Sequence, residues 1–121
     1  MEVGVDLVEI SRVRDLARRN PRFLMLVFTA GEIAYCKAKK NPWPHFAVRF
    51  AAKEAVWKAL NGLEDFKRRS PRAGHRDISV VNAPSGEPRV VLSKHLDLWR
   101  GRVLVSLSHT DSQAVAMALV V

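Results

Sequence analysis

Four side chains have the types and settings that carry chemistry. Asp6 sits at the end of an apolar strand, and Glu54 lies where ten of the fourteen residues from Ala47 to Leu60 are apolar. A carboxylate in such surroundings is paired, protonated or bound to a cation. Magnesium takes one or two protein carboxylates and completes its shell with water and substrate phosphate oxygens. Asp6 and Glu54 would supply that pair. The ordinary structural roles are also open, with Glu54 pairing with Lys58 at i, i+4 and Asp6 capping the next helix. Lys58 shares a helical stripe with Phe50 and Glu54. A lysine so placed is either a surface ion-pair partner or, where its ammonium is destabilised, a general base. His109 ends a strand among Ser106, Ser108 and Thr110. It suits phosphate binding or proton transfer, and equally a hydrogen-bonded turn. Ser108, His109 and Asp111 do not make a hydrolase triad, because adjacent strand residues point to opposite faces.

These residues need a scaffold, and its elements follow from periodicity and punctuation. Val3, Val5, Leu7 and Val8 predict a short buried strand. Ser11 is a candidate N-cap for a helix with Val13, Leu16 and Ala17 inside and Arg12, Arg14, Arg18 and Arg19 outside. Asn20-Pro21 stops that helix. Thr29 with Glu32 three residues on predicts a capping box, and a helix through Ile33, Ala34 and Tyr35 follows. Residues 46–60, FAVRFAAKEAVWKAL, predict the main helix, closed by Asn61-Gly62. FKRRSPRAGHR, Phe66 to Arg76, holds five Lys or Arg and no acid, which predicts a mobile loop. Strands are expected at Ile78–Val81, Arg89–Leu92, Val103–Leu107 and Ala114–Val121, with a short helix at Ser93–Trp99. Helices first and a strand meander after them argue for an α+β fold, helices packed on an antiparallel sheet. Trp43, Trp57 and Trp99 are expected in the core or at an interface.

Composition narrows the partners. The 121 residues suit one domain, residues 1–121, and 48% of them are hydrophobic, which is a globular composition. Twenty Lys and Arg stand against twelve Asp and Glu, a net charge of +8. The excess favours an anionic partner: nucleic acid, a phosphorylated small molecule, an acidic protein or a membrane surface. The Arg-rich helix face and the basic loop fit such binding, although charge runs are usually solvated surface. Cys36 is the only cysteine, so no intrachain disulfide forms, as in a reducing compartment. The N-terminus MEVGVDLVEI is too short and acidic for a signal peptide. No apolar run approaches the ~20 residues of a membrane span, so a soluble cytoplasmic protein is expected.

Five ordered segments resemble the holo-acyl-carrier-protein synthase family of 4'-phosphopantetheinyl transferases. They are Gly4-Val5-Asp6-Leu7-Val8-Glu9-Ile10 with Arg12; Phe28-Thr29 with Glu32 and Tyr35-Cys36; Arg49-Phe50-Ala51-Ala52-Lys53-Glu54-Ala55 with Lys58-Ala59-Leu60; Gly86-Glu87-Pro88 with Val90 and Leu92; and Val105-Ser106-Leu107-Ser108-His109-Thr110. The resemblance covers nearly the whole chain. It implies an α+β fold, often trimeric, with sites between subunits. It implies transfer of the 4'-phosphopantetheine arm from coenzyme A to a serine of apo acyl carrier protein, with magnesium as cofactor, adenosine 3',5'-bisphosphate as product and a place in fatty acid synthesis. By resemblance, Asp6 and Glu54 match the metal ligands, and Lys58 matches the lysine beside the reacting phosphate. Arg49, Ser108 and His109, with Lys58, match contacts to coenzyme A. Arg14, Arg18 and Arg22 are expected to meet the acidic carrier protein. Family members are often Gly-rich after the signature helix, whereas this chain turns acidic and then basic from Leu63 to Arg76.

Two other classes fit parts of the sequence. A small basic RNA-binding module fits the charge and the Arg-rich loop, but it needs aromatic rings on its strands and has no use for the carboxylates. The strands carry Val, Leu, Ser and Ala instead. A catalytically silent relative that only binds coenzyme A is the third.

Overall fold

An uninterrupted apolar stretch builds the longest element. In the computed structural model, which describes residues 1–121, the fourth helix, α4, runs from Trp43 to Asn61 with Pro44 in its first turn. Ahead of it come strand β1 (Glu2–Glu9) and helices α1 (Ile10–Arg19), α2 (Phe23–Val27) and α3 (Ala30–Lys37). After it come a single-turn helix α5 (Phe66–Arg69), a 3-10 turn at His75–Asp77, and the hairpin β2 (Ile78–Asn82) and β3 (Pro88–Leu92). A second 3-10 segment at Lys94–Trp99 leads to β4 (Val103–His109) and β5 (Gln113–Val120). The sheet order is β1-β5-β4, with both pairings antiparallel, and β2-β3 forms a separate ribbon. The α+β expectation is met.

The core lies between α4 and the three-stranded sheet. Ala47, Ala51, Ala52, Ala55 and Ala59 of α4 are fully buried, as are Ala114 and Ala118 of β5. Small residues on both surfaces let helix and sheet approach closely. Gly4 sets the tightest point: a Cβ there would fall 2.0 Å from the Ala55 carbonyl oxygen. With Gly4 against α4, the two-residue period of the strand turns Asp6 and Val8 toward the helix as well.

Several local expectations are corrected. β1 is not buried on both faces, since Val3, Val5 and Leu7 point outward at 62%, 56% and 62% exposure. Leu104 of β4 and Met117 of β5 share that exposed face. No aromatic ring stands among these outward residues. Ser11 does not cap α1, because the helix begins at Ile10, two residues earlier than that cap would place it, and Glu9 takes the N-cap position. Gly62 closes α4 with helical φ (−73°), not in the left-handed form. The basic segment contains α5 and the His75–Asp77 turn, anchored by buried Phe66.

The capping box at Thr29 forms as expected, and Glu32 does more than cap. Its Oε1 accepts from the Thr29 amide at 2.9 Å and meets Lys53 Nζ at 2.7 Å, while its Oε2 accepts from the Val80 amide at 2.8 Å. Lys53 is fully buried and also donates to the carbonyls of His75 (3.0 Å) and Ile78. Burial draws the Lys53 ammonium below the ordinary lysine range, and Glu32 opposes this. The pair ties α3, α4 and β2 together.

Candidate functional site

Asp6 and Glu54 stand on touching elements, and each holds a partner that helical spacing does not give it. Asp6 Oδ1 lies 3.0 Å from Lys58 Nζ, which also donates to the Val5 carbonyl at 3.0 Å. Glu54 Oε1 lies 2.7 Å from His75 Nε2. The i, i+4 pair of Glu54 with Lys58 is therefore replaced by two long-range pairs. Lys58 reaches β1 because a carboxylate and a backbone carbonyl converge there. Asp6 does not cap α1, since it faces α4 and the helix starts four residues later.

The side chains of Asp6 and Glu54 are 17% and 27% exposed, so the pair sits at the rim of the α4–sheet core. Each carboxylate uses one oxygen for its hydrogen-bond partner, Lys58 or His75. Two hard carboxylate donors suit magnesium, which keeps several other ligands from water and phosphate. No third His, Cys, Asp or Glu joins them to complete an all-protein site.

A second polar cluster gathers at the start of α4. The Arg49 guanidinium lies 4.3 Å from the Tyr35 ring centroid and donates to Asn82 Oδ1 and the His45 carbonyl, both at 3.4 Å. Arg49 is buried, and its Nε has no partner. The Tyr35 hydroxyl accepts from Asn82 Nδ2 at 2.7 Å, and Lys39 Nζ lies 4.5 Å from the same ring. Burial pushes the Tyr35 phenol up, but the Asn82 bond and the positive Arg49 and Lys39 outweigh it and bring the phenol below its usual value. Burial first, then Arg49, Lys39 and His109, hold His45 below the ordinary histidine range. Positive charge thus collects at this corner, a setting for an anion. Cys36 is buried, which pushes its thiol up to about 11.

The expected site residues therefore fall into separate groups. Asp6, Lys58 and Glu54 lie at the β1–α4 contact, and Arg49 and His109 lie toward His45. Ser108 points to the opposite side of β4 from His109, on the outward sheet face. Arg14, Arg18 and Arg22 follow one another along α1 and the turn after it, with Arg18 over the Trp43 ring at 5.9 Å. Exposed Met25 and Leu26 of α2 continue this surface. His45, Asn82 and His75 carried no signal in the sequence, because their partners are distant in the chain.

Known proteins resemble this chain over nearly its whole length. The family model of the 4'-phosphopantetheinyl transferase superfamily matches residues 2–120. A holo-[acyl-carrier-protein] synthase of Moorella thermoacetica is 43% identical, over 99% of this chain and 93% of its own. That of Chlorobaculum parvum is 45% identical, over 99% and 97%. The crystal structure of the Helicobacter pylori holo-[acyl-carrier-protein] synthase in complex with coenzyme A superposes with a TM-score of 0.78 and 29% identity, covering 98% of this chain and 99% of that one.

Proposed function

Since the chain belongs to the 4'-phosphopantetheinyl transferase superfamily, we propose that it transfers the 4'-phosphopantetheine arm of coenzyme A to a serine of apo acyl carrier protein, in the cytoplasm and in support of fatty acid synthesis. The observation that supports this reading is the contact across β1 and α4 between Asp6 Oδ1 and Lys58 Nζ at 3.0 Å, with Glu54 one turn before Lys58 on the same helix. In the reaction the serine oxygen bonds to the β-phosphorus of coenzyme A. The bond from that phosphorus to the bridging oxygen breaks, adenosine 3',5'-bisphosphate leaves, and the serine proton passes to a base. Asp6 and Glu54 would hold magnesium, which neutralises charge on the pyrophosphate. Lys58 stands beside them as base or as a cation toward the transferring phosphate. Arg49 and His109 give the positive corner that the 3'-phosphate of coenzyme A requires. Ser108, on the outward sheet face, would serve a nucleotide held at a subunit boundary. The test is to mix the protein with apo carrier protein, coenzyme A and magnesium and weigh the carrier. A gain of one phosphopantetheine arm is expected, and a carrier of unchanged mass sinks the reading.

The carrier is expected on the Arg14, Arg18 and Arg22 surface, with Met25 and Leu26 offering apolar contact beside the charges. Carrier proteins of this class are acidic, and opposite charge steers encounter. Reversing the three arginines to glutamate should raise the carrier KM about tenfold or more and flatten its salt dependence, leaving coenzyme A binding unchanged. Equal weakening of both substrates would count against this surface.

A homotrimer is the proposed assembly, on the strength of the resemblance. The outward apolar face of β1, β5 and β4 gives it a surface to bury. Light scattering should return about three times the 13.6 kDa of one chain, and Leu7→Lys should shift the protein toward monomer. A fully active monomer would overturn the assembly.

A further inference from the structure

We propose that His75 is a positioning residue for Glu54, holding one carboxylate oxygen so that the other is presented to a divalent cation. This rests on the metal reading above and adds a residue to it. Ionised glutamate only accepts hydrogen bonds, so at 2.7 Å His75 Nε2–H is the donor to Glu54 Oε1.

The His75 ring is held as firmly as the bond it makes. It stacks on Phe50 with centroids 6.3 Å apart at 9° and on Trp57 at 6.2 Å and 15°. Phe50 and Trp57 lie seven residues apart on α4, which is about 10.5 Å along the axis at ~1.5 Å per residue. A ring parallel to both and about 6 Å from each sits between them, over Glu54, which α4 places on the same stripe. The backbone is pinned too. Lys53 Nζ, one residue before Glu54, donates to the His75 carbonyl at 3.0 Å, and Asp77 Oδ2 accepts from the Gly74 amide at 2.7 Å. A carboxylate gripped by such a donor loses little further freedom when it takes up a cation. Removing hydrogen-bond partners that orient a metal's ligands lowers metal affinity by about 10- to 100-fold.

Two substitutions separate the hydrogen bond from the packing. His75→Phe keeps a flat ring between Phe50 and Trp57 and deletes the N–H, whereas His75→Gln keeps an N–H donor and deletes the ring. The full-length protein is titrated with Mn2+ in the presence of coenzyme A and without carrier protein, and free Mn2+ is counted by electron paramagnetic resonance. His75→Phe should weaken Mn2+ binding about tenfold, and His75→Gln should restore most of it. In the transfer assay the loss should appear in the magnesium concentration giving half-maximal rate far more than in kcat. If the Phe variant does not fold by circular dichroism, His75→Leu replaces it with the same expectation. A folded His75→Phe or His75→Leu protein that binds Mn2+ as tightly as wild type overturns the proposal. Glu54→Gln tells the two readings apart. If it loses Mn2+ while His75→Phe does not, the positioning role alone falls. If neither variant changes binding, the metal assignment falls and takes the proposal with it.

Discussion

Asp6→Ala and Glu54→Ala should each lower kcat by about a thousandfold, in a protein that still folds. A divalent cation on a reacting phosphate is worth several kcal/mol of charge stabilisation, and each ~1.36 kcal/mol is tenfold in rate. With only two carboxylates to bind it, loss of one removes half of the protein's ligands. The fold should survive because both side chains sit at the rim. Asp6 pairs with a Lys58 side chain that is 53% exposed, and such exposed pairs contribute about 0–1 kcal/mol. The measurement is carrier mass gain against time at limiting magnesium, with circular dichroism alongside. Near wild-type turnover by either variant would show that the carboxylates do not form the metal site. The two alanines should also fail to add, because one ligand missing already loses the ion.

The elements around this site were legible where local rules are strong. The Ala- and Leu-rich run without Gly or Pro could hardly be anything but a helix, and it became α4 with both ends within three residues of the expectation. Thr29 and Glu32 announced α3 through a reciprocal cap that is local by nature. The β1-β5-β4 order was not readable, because strand pairing is decided by long-range contact and not by spacing. The same limit hid the site's wiring. Spacing joined Glu54 to Lys58, whereas the fold joins Lys58 to Asp6 across the sheet and Glu54 to a histidine from the basic segment. That segment looked mobile because its charges dominate its composition. Phe66, buried against Trp57 and Trp99 with ring centroids at 5.4 and 5.1 Å, anchors its start. β1 misled in the other direction: a run of Val and Leu predicts burial, but its outward half is buried only if another surface covers it.

Lys58→Ala should cost about 10²- to 10⁴-fold in rate, the range of a positioned acid–base group. The lysine stands where either role is open. Its Nζ donates at 3.0 Å to Asp6 and to the Val5 carbonyl, so in this state it is arranged as a cation. To serve as base it must exchange those acceptors for the attacking serine and give up a proton. To serve as a cation it need only swing toward the phosphate, and its largely exposed side chain leaves room for that. Lys58→Arg separates the roles, because arginine keeps the charge and does not release its proton. An Arg variant that recovers most of kcat removes the base role and leaves electrostatic stabilisation, with a water held by Glu54 then taking the serine proton. An Arg variant as slow as Ala favours the base. The geometry of the guanidinium complicates that second outcome, so coenzyme A KM is measured on the same protein. An unchanged KM with lost kcat shows that the arginine fits beside the pyrophosphate and still fails at proton removal. A risen KM shows that it does not fit.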